Sequence, residues 1–158
     1  WMDWDKQITP TLSDALHIMQ DFNHLEVEVK AVEKMANAEK LVLALEQQLK
    51  GFEKTAVITS FDLKIHHALK QMNSKFQRGL LVENDIQLKA IDQALELECG
   101  QIGWMNQLAT PELIRATQQE KLKISVWTVN SLERAQQLRD LGIDGLITDF
   151  PKLMLQQL

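Results

Sequence analysis

Glu28 and Lys30 stand two residues apart in Leu25-Glu26-Val27-Glu28-Val29-Lys30, where apolar and charged residues alternate. Such alternation predicts a strand, on which residues i and i+2 emerge on the same face. A carboxylate and an ammonium facing one cavity suit a phosphodiester: the carboxylate can hold a hard cation through oxygen, and the lysine can offset phosphate charge. Taken alone, Glu-x-Lys reads more readily as an ion pair on a solvated edge strand. Glu26 shares the face and, if it points inward, adds negative charge beside the cation.

Two aromatic residues come next as candidates. Phe61 and Trp127 close the runs Ala56-Val57-Ile58-Thr59-Ser60-Phe61 and Leu122-Lys123-Ile124-Ser125-Val126-Trp127. Parallel barrels keep their chemistry at such strand ends. Ordinary rim packing explains Phe61 equally well, whereas the polar residues after Trp127 favour contact with a ligand. Asn130 reads as a helix cap and Asp149 as a loop-forming carboxylate. His66-His67 falls on a predicted helix, where adjacent side chains diverge, so the pair reads as a solvated or boundary feature. His17 lies within a helix, and His24 precedes a strand at the end opposite the chemistry. No residue is therefore assigned as catalytic. No Gly-rich phosphate loop, catalytic triad spacing or paired helix histidines occurs.

The elements that position these residues alternate from end to end, as in parallel strands joined by crossover helices. Thr11-Leu12-Ser13-Asp14 predicts a capping box. Met35 through Phe52 carries apolar residues three or four apart, with Gly51 as a stop, and predicts a long covering helix. Asp62 can cap a helix through Ile65, Leu69 and Met72. Gly79 to Glu83 reads as a strand, with a helix through Ile86, Ile91 and Leu95 after it. Ile102-Gly103-Trp104-Met105 is a weaker strand. Thr110-Pro111 starts a helix well, since proline at the first helical position gives up no needed N–H. Asn130, with Glu133 three residues on, predicts the cap of the next helix, which Gly142 ends. Gly145 to Thr148 is the last strand, with no helix expected after it.

Composition narrows the classes. The chain has 158 residues, 45% of them apolar, and a net charge of −5. That is enough to bury a core in one domain, residues 1–158. Its 17 basic residues are scattered, so no nucleic-acid partner is expected. The single Cys99 excludes a disulfide framework and reads as a small core residue. No apolar run is long enough to span a bilayer, and Trp1 to Asp5 are unlike a secretory leader. A soluble, cytoplasmic chain is expected, unless a targeting segment precedes Trp1.

Pro10-Thr11-Leu12, Glu26-Val27-Glu28-Val29-Lys30, Ile58-Thr59-Ser60-Phe61, Trp127-Thr128-Val129-Asn130 and Gly145-Leu146-Ile147-Thr148-Asp149-Phe150-Pro151 together resemble the glycerophosphodiester phosphodiesterase family. The resemblance runs from Pro10 onward, and the five segments jointly are far more specific than any one. It implies a TIM barrel that hydrolyses glycerophosphodiesters to glycerol 3-phosphate and an alcohol, with a divalent cation, magnesium or calcium, and two histidines. Glu28 matches the family's metal ligand on this strand, Lys30 its phosphate-side lysine, and Phe61 and Trp127 the aromatics of its substrate cleft. The family's His-Arg-Gly, Glu-x-Asp and His-Asp segments, which carry the histidines and further metal ligands, are absent. Glu26 stands where the family usually has asparagine.

The expected fold is therefore α/β: an incomplete TIM (β/α) barrel of five or six parallel strands with covering helices, lacking the first three barrel strands. Such a chain is expected to be inactive alone, with the cation weakly bound or absent. Its open edges call for self-association or for a missing N-terminal segment. The glycerophosphodiester would be the ligand of the full-length protein. The alternative is a non-catalytic interaction module derived from the barrel and stabilised by self-association; a third option is another barrel enzyme acting on a phosphorylated metabolite.

Overall fold

Among the described residues, six parallel strands follow one another across one sheet in chain order, β1 to β6. The computed structural model describes residues 9–158, so Trp1 to Asp5 lie outside the described residues. The order is α1 (Leu12–Ile18), β1 (Leu25–Glu28), α2 (Met35–Gln48), β2 (Ala56–Ser60), α3 (Leu63–Gln71), β3 (Gln77–Val82) and α4 (Lys89–Glu96). Then come β4 (Gln101–Met105), α5 (Pro111–Gln119), β5 (Lys123–Trp127), α6 (Leu132–Asp140), β6 (Gly145–Leu146) and α7 (Pro151–Gln157). Every crossover between neighbouring strands contains a helix, as parallel pairing requires.

Local chemistry sets these boundaries. Thr11 and Asp14 cap α1 reciprocally, and Gly51, at φ 97°, takes the left-handed turn beyond α2 that a side chain would resist. Asp62 accepts from Lys64 N to start α3, and Thr110 accepts from Leu113 N ahead of Pro111 at the start of α5.

One face of the sheet is apolar. Ile58, Leu80, Val82, Ile102, Trp104, Ile124 and Val126 are buried beneath the helices, with Ile65, Ile91, Ile114 and Leu138 among their helical partners. Each buried aliphatic side chain of this kind contributes about 1.5–3 kcal/mol. Because side chains alternate, the intervening residues share the other face: Glu28 is level with Thr59, Thr59 with Gly79, Gly79 with Gln101, and Gln101 with Lys123.

That inner face is concave. Strands lie about 4.8 Å apart, so β1 and β4 would be about 14 Å apart in a flat sheet. Gln101 Nε2 on β4 nevertheless donates to Glu26 Oε1 on β1 at 2.6 Å, so the sheet curls into a half-barrel. Small residues permit this: a Cβ on Gly103 would lie 2.6 Å from the Leu81 side chain and 3.1 Å from Ser125 Oγ. An eight-stranded ring has two places beyond these six strands. Among the described residues, β1 and β6 are the two edges of the sheet.

Four local expectations are corrected. The weak Ile102–Met105 strand is a full member of the sheet, hydrogen-bonded on both sides, and holds the fully buried Trp104. The cap of α6 is Ser131, whose Oγ accepts from Arg134 N, and not Asn130. Asn130 instead bonds Thr148 and Asp149. Finally, the last strand is short, and a helix, α7, does follow it.

Candidate functional site

The half-barrel encloses a trough of about 800 Å³. The C-terminal strand ends supply Glu28, Lys30, Phe61, Trp127 and Thr128 at its upper end, and His24, Glu26, Lys123 and Asp144 line the lower end. The four residues singled out from the sequence thus come together at the mouth expected for a parallel barrel.

Glu28 is the last residue of β1, and Lys30 Nζ donates to its Oε1. The lysine side chain is 82% exposed and the carboxylate 37%. An ion pair this open adds little stability, at most about 1 kcal/mol, so both groups can exchange each other for a ligand. Phe61 meets Trp127 edge-on, with ring centroids 5.3 Å apart at 87°. Trp127 Nε1 donates to Gly103 O at 3.0 Å, which fixes the indole against the trough wall, and the peptide following it is cis.

Glu26 does point into the trough, where Gln101 occupies it; Gln101 also donates to Ser125 Oγ at 3.2 Å, and His24 Nε2 lies 3.5 Å from the Glu26 carboxylate. Among the described residues, no group of three or more His, Cys, Asp or Glu is arranged to hold a metal ion. Magnesium takes six oxygen ligands and calcium six to eight. Glu28 alone does not make such a site, so these residues do not by themselves fit the cation.

The reading of His66-His67 as a solvated or boundary pair fails for His66, which is fully buried, while His67 is exposed. His66 Nε2 donates to Ser60 O at 3.0 Å, leaving Nδ1 to accept from the Cys99 thiol at 3.8 Å. Burial holds the histidine below its ordinary value and pushes the thiol up to about 12. This neutral, satisfied pair is inert as a nucleophile, and Cys99 is the core residue expected. No helical spacing rule could have revealed it, because the partners are 33 residues apart.

A half-barrel of parallel βα units with its open groups at the strand C-termini defines a (β/α)-barrel protein with its site in the usual place. Residues 3–153 match the glycerophosphoryl diester phosphodiesterase family, and the chain belongs to that family. A glycerophosphodiester phosphodiesterase of Caldanaerobacter subterraneus subsp. tengcongensis is 27% identical over 149 residues, covering 92% of this chain and 60% of the relative. Among solved structures, a glycerophosphodiester phosphodiesterase from Parabacteroides distasonis superposes with a TM-score of 0.80 at 18% identity, over 93% of this chain and 63% of that one. A phosphodiesterase from Oleispira antarctica, in complex with the product sn-glycerol-3-phosphate, gives 0.78 at 17% identity, over 94% and 60%. At these identities the structural matches establish the fold. The chain spans about three-fifths of the length of these relatives.

Proposed function

We propose that this chain, acting as one domain, forms the substrate-holding wall of a glycerophosphodiester phosphodiesterase and has no turnover alone. The observation that carries this reading is the placement of Glu28, the last residue of β1, and of Lys30, two residues beyond it, at the mouth of a trough that Phe61 and Trp127 also line. Lys30 offsets phosphate charge, and the two rings flank the glycerol and alcohol portions. Magnesium or calcium would polarise the phosphate and would take Glu28 as one ligand, with the remainder supplied from outside the chain. Among the described residues, no histidine stands at the mouth for proton transfer: His66 is buried on the helical side, and His24 sits at the opposite end of the trough. No helix among the described residues is long and apolar enough to cross a membrane, and a cytoplasmic place is part of this proposal.

Glycerophosphocholine hydrolysis, measured with magnesium or calcium, tests it. The expected result is no release above the blank; cation-dependent turnover that disappears in Glu28→Ala would overturn the division of labour.

A second reading, a self-associating interaction module, draws on the surface beside the open edges. Ile18 and Phe22 precede β1 at 78% and 57% exposure, and Phe150 and Leu155 follow β6 at 53% and 86%. Apolar groups beside strand edges that have no partner among the described residues favour a cover, either another copy or a segment completing the ring. Sedimentation should find a species larger than the monomer. A monomer that unfolds cooperatively and binds no apolar dye would contradict the need for a cover.

A further inference from the structure

Lys30 lies outside regular structure, since β1 ends at Glu28 and α2 begins only at Met35. The segment is nonetheless fastened on both sides of the lysine. Val29 N donates to Thr59 O at 2.8 Å, and Val29 O accepts from Ser60 Oγ at 2.7 Å. Three residues later, Val32 N donates to Asp62 Oδ2 at 3.0 Å. Only Lys30 and Ala31 lie between these two anchors.

Both anchoring side chains are themselves fixed. Ser60 is fully buried, and its Oγ accepts from Asp62 N at 3.0 Å. Its carbonyl takes the His66 ring N–H. Asp62 is 9% exposed, and its other oxygen, Oδ1, caps α3 by accepting from Lys64 N at 2.9 Å. Burial works against its charge, but the N–H groups of Val32 and Lys64 and the Lys64 ammonium outweigh burial and hold the carboxyl below its ordinary value.

A helix cap needs one oxygen, and serine or threonine supplies it as well as aspartate. The second oxygen of Asp62 goes to a residue thirty places earlier in the chain. We propose that Asp62 and Ser60 are positioning residues for Lys30, holding the backbone on either side so that the ammonium stays at the mouth of the trough. The proposal rests on the reading of Lys30 as the phosphate-side residue.

Electrostatics and positioning predict opposite signs here. Asp62→Asn removes a negative charge near an anion site, which by Coulomb's law strengthens anion binding. Asp62→Asn also places an amide nitrogen, without a lone pair, against one of the two N–H donors, which loosens the segment.

The test titrates sn-glycerol 3-phosphate into the isotope-labelled chain, reads affinity from the amide shifts, and follows hydrogen exchange at Val32. Lys30→Gln should weaken binding, and Asp62→Asn and Ser60→Ala should each weaken it about three- to tenfold. Val32 should exchange faster in Asp62→Asn while the amides of β3 to β5 keep their protection. If Lys30→Gln weakens binding but Asp62→Asn leaves it unchanged or tighter, the positioning role is overturned and the phosphate reading stands. Protection lost throughout β3 to β5 would show a general structural role and overturn it too. Unchanged binding in Lys30→Gln would remove the phosphate reading and the positioning role with it.

Discussion

Gln101 Nε2 on β4 and Glu26 Oε1 on β1 meet at 2.6 Å across the trough, with two strands between them in the sheet. Gln101 is 4% exposed and the Glu26 side chain 21%, so water competes weakly for this contact. It is a strut that braces the curl of the half-barrel diagonally, from Gln101 in the row of Glu28 to Glu26, two residues before Glu28 on β1. Gln101→Leu should lower the unfolding free energy by about 1–2 kcal/mol, the value of a hydrogen bond to a charged, partly solvated acceptor. Urea unfolding measures it; a change under about 0.5 kcal/mol, the range of neutral surface substitutions, would show that the strut is dispensable.

The inner face also depends on Gly103. A methyl group there meets Leu81 Cδ2 at 2.6 Å, so Gly103→Ala should destabilise by about 1–3 kcal/mol, as overpacking does. Gly100 is the internal comparison. Nothing lies within 4 Å of a Cβ at that position, and Gly100→Ala should fall within about 0.5 kcal/mol of the parent chain. Equal effects at both sites would remove the steric argument.

The His66–Cys99 pair makes a pH prediction with a definite sign. Burial depresses the folded His66 below its ordinary 6.5, so the unfolded chain binds the proton more readily. The stability from neutral His66 is fully present above about pH 6.5 and is lost as pH falls below that, toward the folded value. Unfolding free energies between pH 7.5 and 5.5 should decline in the parent chain and decline less in His66→Gln; parallel curves would contradict the assignment. In the same native state a thiol reagent at pH 8 should leave Cys99 untouched, and urea should expose it.

Asn130 and Ser131 are neighbours with separable roles. Ser131→Ala should cost about 1 kcal/mol through the lost α6 cap. Asn130 bonds Asp149 Oδ2 at 2.7 Å and Asp149 N at 3.0 Å, tying the turn after β5 to the turn after β6. Asn130→Ala should raise hydrogen exchange at Asp149 and leave α6 protected, and Ser131→Ala should do the reverse. The same pattern in both variants would merge the two roles.

What could be read from the residues followed how local each signal is. The caps at Thr11, Asp62 and Thr110 act within a few residues and formed, while the alternation at Leu25 to Lys30 formed a strand only over Leu25–Glu28, leaving Lys30 two residues beyond its end. β4 looked weak because Gly103 lowers strand propensity, yet glycine is what the curled inner face demands there. His66 was misread because its surroundings come from β2 and Cys99, brought together only by folding. The cap at Ser131 was missed because Asn130 is an equally good capping type, and its engagement with Asp149, 19 residues away, decided the matter. The gathering of Glu28, Lys30, Phe61 and Trp127 at one mouth was legible through the family segments, since three crossovers separate β2 from β5 and no local rule joins their ends.

The most direct test of the account is to map where sn-glycerol 3-phosphate binds by nuclear magnetic resonance on the labelled chain. The account predicts saturable shifts concentrated at the amides of Glu28, Lys30 and Phe61 and at the Trp127 indole N–H, and their loss in Lys30→Gln. Shifts confined to the outer helices, or an undiminished response in Lys30→Gln, would contradict it.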